Sequence, residues 1–141
     1  METNTIEGCG ALIFCRKTKR HLFLLRSKSR YRNSWGLAGG KVETGEKVAD
    51  ALRRELIEEI DFDIGRLRIK PVEKFTSDDS KFVYHTFMVV VDEEFSPKLN
   101  HEHIGYCWVP LESYPKPLHP GVWRTFKFDS VVKKIRTVEK L

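Results

Sequence analysis

Residues 39–62 read GGKVETGEKVADALRRELIEEIDF and hold Glu55, Glu58 and Glu59 within five positions. Val48, Leu52, Leu56 and Ile60 recur every fourth residue across the same segment, which predicts a helix over about 46–60. Asp61, with Gly65 soon after, supplies the stop. At about 100° per residue, this apolar stripe spans roughly −40° to +80° around Leu52. Glu59 falls inside that arc, Glu55 at its edge and Glu58 a little further round. The carboxylates are therefore not simply arrayed on the solvent side. Glu55 and Glu59 are an i, i+4 like-charge pair, which costs roughly a few tenths of a kcal/mol when exposed and more when buried. A hard divalent cation, Mg²⁺ or Mn²⁺, would turn that repulsion into a set of oxygen ligands. A glutamate-rich surface helix paired to Arg53 and Arg54 fits the helix taken alone equally well, because Glu is a good helix former.

The rest of the chain sets the frame. A length of 141 residues suits one domain over 1–141, large enough to bury a core. Hydrophobic residues at 40% and charged residues at 32% exclude a disordered tail. No apolar run approaches the about 20 residues of a membrane span, and METNTIEGCG lacks a basic-then-apolar signal pattern. No membrane association is expected. Cys9, Cys15 and Cys107 are odd in number and form no CxxC, which points to small core residues in a reducing, cytoplasmic setting. The net charge is +5, yet acidic residues concentrate in the opening stretch. That contrast suits a polyanionic ligand met through divalent metal, or else a solvated surface.

Along the chain, GALIFCR and HLFLLRS read as an antiparallel pair around the turn KTKR. SKSRYRNSW is a polar loop, and WGLAGGKVE is a bent, tightly turning strand. RLRIKPVEKFTS and KFVYHTFMVVVDEE read as two longer strands around SDDS, with Pro71 marking an edge or a bulge. GYCWVPL is a further strand, with Tyr106 and Trp108 placed on one core-facing side by alternation. PKPLHPG is a rigid connection, and VWRTFKFDSVVKKIRTVEKL a second helix. The order β, β, β, α, β, β, β, α implies a mixed sheet covered by helices.

The opening stretch resembles the Nudix box of the Nudix hydrolases: G, five residues, E, seven residues, then REUxEExGU, with U aliphatic or aromatic. Here Gly40 is followed after five residues by Glu46, and after seven more by Arg54-Glu55-Leu56. Ile57, Glu58, Glu59, Ile60, Asp61 and Phe62 complete it, with Asp61 standing where the family has glycine. Asp tolerates a left-handed helix end better than most residues, so a small stability cost is expected there. WGLAGG is similar to the family's lead-in, with Ala38 in place of the usual proline. The resemblance implies a Nudix-type α/β/α sandwich and hydrolysis of a diphosphate linkage with Mg²⁺ or Mn²⁺. It implies Glu55, Glu58 and Glu59 as metal ligands, the Gly40 carbonyl as a backbone ligand, and Arg54 and Glu46 as supports of their geometry.

EHIGYCW, Glu102 to Trp108, is similar to the EHxxYxW segment of several Nudix pyrophosphatases, including dinucleoside tetraphosphate hydrolases. That likeness brings Glu102 back to the metal cluster as a ligand or base. Glu58, Glu59 and Glu102 all stand as candidate bases. His101 and His103 form an HxH, which without further ligands is weak support for zinc. Phosphate contacts are expected from Arg26, Lys28, Arg30 and Arg32, while Tyr31, Phe75, Phe82 and Tyr84 could stack a base but are expected mostly in the core. The family's substrates leave open a nucleoside triphosphate, a dinucleoside polyphosphate, a nucleotide sugar or a capped or triphosphorylated RNA 5′ end. A nucleotide-binding module without catalysis is the alternative, and monomer and homodimer stand equally. A basic nucleic-acid-binding domain is a further rival, which lacks a recognised motif.

Overall fold

The computed structural model describes residues 5–65, 67 and 69–141. The opening of the strand expected over 66–77 falls on Arg66 and Arg68, and the N-terminal signal reading on residues 1–4; these lie outside the described residues. Strands β1 (Ile6–Cys15), β2 (Arg20–Arg26), β3 (Trp35–Gly36) and β4 (Ala38–Lys41) precede helix α1 (Val48–Ile60). Then follow β5 (Ile69–Thr76), β6 (Phe82–Val91), β7 (His103–Val109), a 3₁₀ turn at Leu111–Ser113, and helices α2 (Pro120–Lys127) and α3 (Asp129–Glu139).

The sheet runs β3-β2-β1-β6-β5, with β4 added to β1 and β7 to β2. β1 and β6 are parallel, from Ile6 opposite Phe82 to Cys15 opposite Val91. From Gly8 to Cys15, β1 is buried throughout and reads as an unbroken apolar run, because both its faces are covered there. Cys9, Ala11, Ile13 and Cys15 pack with Leu52 and Leu56 of α1. Leu12 and Phe14 pack with Val131 and Ile135 of α3 on the opposite face. Helices on both faces of a mixed sheet make the α/β/α sandwich expected.

The glycine-rich run occupies a fork between two strands. β2 pairs with the end of β1, Ile13 to Cys15, while β4 pairs with its start, Gly8 to Ala11. β3 pairs instead with Leu24 and Leu25 of β2. WGLAGGK thus crosses from one strand to the other, which is why the single bent strand of the sequence divides in two. Pro71 sits on the terminal strand β5 beside a register shift between Pro71 and Glu73, so both expected roles of this proline are met.

The C-terminal segment departs from the single helix read in sequence. Phe128 is extended, at φ −85° and ψ 115°, and separates α2 from α3. The apolar spacing slips there: Val122 and Phe126 set one stripe, whereas Val131 and Ile135 set another. A continuous helix would have put Ser130 and Lys133 in line with the first stripe. Tyr106 is a second correction, because it is exposed and its hydroxyl bonds Ser96 Oγ at 3.2 Å. Trp108 is buried as expected and donates from Nε1 to the Phe95 carbonyl at 3.0 Å.

Candidate active site

Helix α1 presents its glutamates in the graded way its wheel implies. Glu59 is 4% exposed, the Glu55 carboxyl half-buried, and Glu58 exposed. Asp61 closes the helix in the left-handed region, at φ 53° and ψ 41°. Its N–H donates to the Ile57 carbonyl at 3.0 Å, and Phe62 N–H reaches the Leu56 carbonyl at 3.3 Å, which caps the last turn without glycine.

The fork places Gly39 and Gly40 against these carboxylates. Gly39 N–H donates to Glu59 Oε1 at 3.2 Å. A β-carbon on Gly40 would collide with the Glu55 carboxyl, and one on Gly39 with the Cys9 backbone. Both positions need glycine for close approach. Arg54 gathers the next layer. Its Nε donates to Glu46 Oε2 at 2.9 Å, Nη1 to Glu55 Oε1 at 2.8 Å, and Nη2 to the Lys41 carbonyl at 2.8 Å. Glu58 Oε2 lies 3.6 Å from Arg54 Nη1. Glu46 in turn accepts from Glu43 N–H at 3.1 Å. With Arg54 as its principal partner, the Glu46 carboxyl is pulled down to about 2.

Burial pushes the Glu59 carboxyl up to about 8 against the opposing Gly39 N–H, and the charges of Glu102 and Glu55 add to it. Burial also raises Glu55, over the opposing pull of Arg54, with Glu58 and Glu102 contributing. The charge of Glu102, far away in sequence, thus contributes to both shifts. Three hydrogen bonds hold Glu102 itself. Ser27 N–H donates to the Glu102 carbonyl at 3.0 Å, and Asn100 Oδ1 accepts from Glu102 N–H at 3.0 Å. Asn100 Nδ2 also reaches Glu102 Oε2 at 3.3 Å.

Among the described residues, no three His, Cys, Asp or Glu side chains converge to hold an ion as they stand. His103 is buried, and desolvation lowers its imidazole to about 4, while His101 is exposed. The α1 carboxylates nevertheless fit a hard divalent cation. They are all-oxygen donors, two of them with raised pKa, beside a glycine whose missing side chain leaves room for Glu55.

On the other side of Gly39 and Gly40 opens a cleft of about 650 Å³, lined also by Arg26, Tyr84 and Arg124. Of the four basic residues expected at phosphate, Arg26 lines this cleft, whereas Lys28, Arg30 and Arg32 are exposed on the loop beyond β2 and do not. Tyr31, Phe75, Phe82 and Tyr84 line the cleft rather than either core, correcting their expected placement. Arg124, His119 and Asn100 escaped the sequence reading. No local motif marks them, since each is brought in by the crossing of distant segments.

Residues 7–128 match the model of the NUDIX domain. The nucleoside triphosphatase NudI of Escherichia coli (strain SE11) is 26% identical over 117 residues, covering 76% of this chain and 78% of that protein. The crystal structure of the MutT protein from Methanosarcina mazei Go1 superposes with a TM-score of 0.70 at 27% identity, covering 97% of each chain. The NUDIX domain of Shewanella oneidensis NrtR, in complex with ADP ribose, superposes with a TM-score of 0.73 at 15% identity, covering 93% of this chain and 88% of that one. The family match over most of the chain, with the box spacing and the α/β/α sandwich around it, means that this chain belongs to the Nudix hydrolase family.

Proposed function

We propose that this Nudix pyrophosphohydrolase cleaves a phosphoanhydride bond of a nucleoside triphosphate, with Glu55, Glu58 and Glu59 holding Mg²⁺ or Mn²⁺. The observation that carries this reading is the Glu59 carboxyl, buried and held by Gly39 N–H at 3.2 Å, one turn from a Glu55 carboxyl that fills the space a Gly40 side chain would take. Folding has gathered charge that a cation relieves. The nucleoside triphosphatase at 26% identity supports the choice of substrate among the family's possibilities. A cleft of about 650 Å³ has the volume for a nucleotide.

When bound, the cation would offset polyphosphate charge and lower the pKa of the attacking water. The chain's own residues do the rest. The Gly40 carbonyl would join the three glutamates in holding the cation, and Arg54 fixes Glu55 and Glu46 in place. Arg26, in the cleft wall and close enough to lower Glu59, binds substrate phosphate. Lys28, Arg30 and Arg32, exposed beyond β2, draw the polyanion in from solution. Water attacks phosphorus, the anhydride oxygen leaves with its phosphate group, and a carboxylate from Glu58, Glu59 or Glu102 takes the proton. The setting is cytoplasmic, and the whole chain acts as one domain. A panel of nucleoside triphosphates, dinucleoside polyphosphates, nucleotide sugars and triphosphorylated RNA, with Mg²⁺ and Mn²⁺ and products resolved by chromatography, tests it. Metal-dependent turnover led by triphosphates is expected. Tight nucleotide binding with no product from any compound would instead support a binding module.

A further inference from the structure

The outer side of α2 carries aromatic rings that neither core uses. Trp123 is 50% exposed and Phe128, just past the helix, 48% exposed, and both lie outside the lining of the cleft. Single exposed apolar residues are ordinary, but here each ring has a cation over its face. Lys127 Nζ lies 4.2 Å from the Trp123 ring centroid. The Arg124 guanidinium lies 5.9 Å from the Phe128 centroid and 3.7 Å from that of Phe75 on β5. Because Phe75 and Arg124 line the cleft, this row of rings and cations begins where the cleft ends.

The charge at this end of the molecule is one-sided. Residues 120–141 hold six basic side chains against two acidic ones. Of those two, Glu139 is engaged by His21 at 2.6 Å and by Arg136 at 2.9 Å, which leaves Asp129. Glu73 of β5 is likewise taken, by Arg124 Nη1 at 3.5 Å and by the Thr125 hydroxyl at 2.7 Å. Among the described residues, Lys127 pairs with no carboxylate. Lys133, Lys134 and Lys140 stand exposed on and just after α3 and add to the positive field.

Exposed rings interleaved with unpaired cations match the chemistry of a single-stranded nucleic acid. Its bases have flat faces to stack, and its backbone carries charge for the cations to meet. A lipid surface asks for a wider apolar face. α2 has only eight residues, and its stripe of Val122 and Phe126 is already packed against a core. We infer that the outer side of α2 is a binding surface for single-stranded nucleic acid, with bases stacked on Trp123 and Phe128 and backbone phosphate met by Lys127.

Fluorescence anisotropy of the full chain with a labelled oligouridylate of about twelve nucleotides tests this. The probe ends in a 5′-hydroxyl and has no anhydride bond to cut, so the result stands apart from the proposed reaction. Binding should be measurable at about 50 mM salt and should weaken as salt rises. Trp123→Ala and Phe128→Ala should each weaken it roughly tenfold through lost stacking. Lys127→Gln should lower the slope of log affinity against log salt by roughly 0.7. Triphosphate turnover should be unchanged in all three variants, since none of these residues lines the cleft. Thermal melts verify folding, and Trp123→Leu, apolar but unable to stack, serves if the alanine variant does not fold. No binding at low salt, or an affinity indifferent to Trp123 and Phe128 substitution, would overturn the assignment. So would phosphatidylserine vesicles bound in place of the oligonucleotide, or a dimer that Trp123→Ala dissolves.

Discussion

The main-chain N–H of Asn100 donates to the carbonyl of Glu59 at 3.0 Å, tying the loop before β7 to the end of α1. The Asn100 side chain then holds Glu102 at both its N–H and its carboxylate. Asn100→Ala keeps the main-chain tie and removes both side-chain contacts. Because those contacts are exposed, the fold should lose little. If Glu102 works in the reaction, kcat should fall roughly tenfold with KM nearly constant, as for loss of a residue that orients a ligand or base. Steady-state kinetics with a saturating triphosphate checks the split.

Gly40→Ala asks whether the close approach of Glu55 matters. The new methyl meets the far end of a flexible side chain, so Glu55 gives way and the protein should still fold. Its displaced carboxylate should weaken divalent-cation affinity by roughly 10- to 100-fold, measurable by titration with Mn²⁺.

The pH dependence follows from Glu59. Burial raises its folded pKa to about 8, so its contribution to metal-free stability is fully present below the unfolded value near 4.5. That contribution is lost as pH rises through about 8. At neutral pH the penalty is on the order of 3 kcal/mol. Metal-free melting temperature should therefore fall between about pH 5 and pH 8, and Glu59→Gln should flatten the fall relative to the unaltered chain. Cation binding displaces the same proton, so apparent affinity for Mg²⁺ should climb over that range.

Asp61→Gly restores the family residue at the end of α1. With φ at 53°, glycine relieves the strain of a side chain in the left-handed region. A gain of roughly 0.5–1 kcal/mol in chemical denaturation, with turnover unchanged, is expected.

The candidate site was legible in sequence where a single helix carries it. A four-residue stripe fixes rotation about the helix axis, so the burial order of Glu59, Glu55 and Glu58 follows from the wheel. Glu102 was singled out only through its motif; its charge contributes to the raised Glu59 and Glu55, a coupling that no local period encodes. The cleft was illegible for a different reason. Phe82 and Tyr84 alternate along β6 as core residues would, yet both line the cleft. The break at Phe128, which divides α2 from α3, was visible only as a slip in apolar phase. Arg124 reaches Phe75 and Glu73 through tertiary packing of α2 on β5, which no short window of sequence encodes.

The central claim is that the α1 glutamates are gathered for a cation and for catalysis at the expense of metal-free stability. Glu59→Gln keeps the size of the side chain, and its carbonyl oxygen can still accept from Gly39 N–H. Melting without metal, melting with Mg²⁺ and turnover of the best triphosphate, measured on one preparation, form a single decisive comparison. The metal-free variant should melt at the same temperature as the unaltered chain or higher, and Mg²⁺ should stabilise it less. Its turnover should fall by on the order of 100-fold or more. A variant that melted earlier, yet kept full activity per folded molecule, would make Glu59 a structural residue and contradict the account.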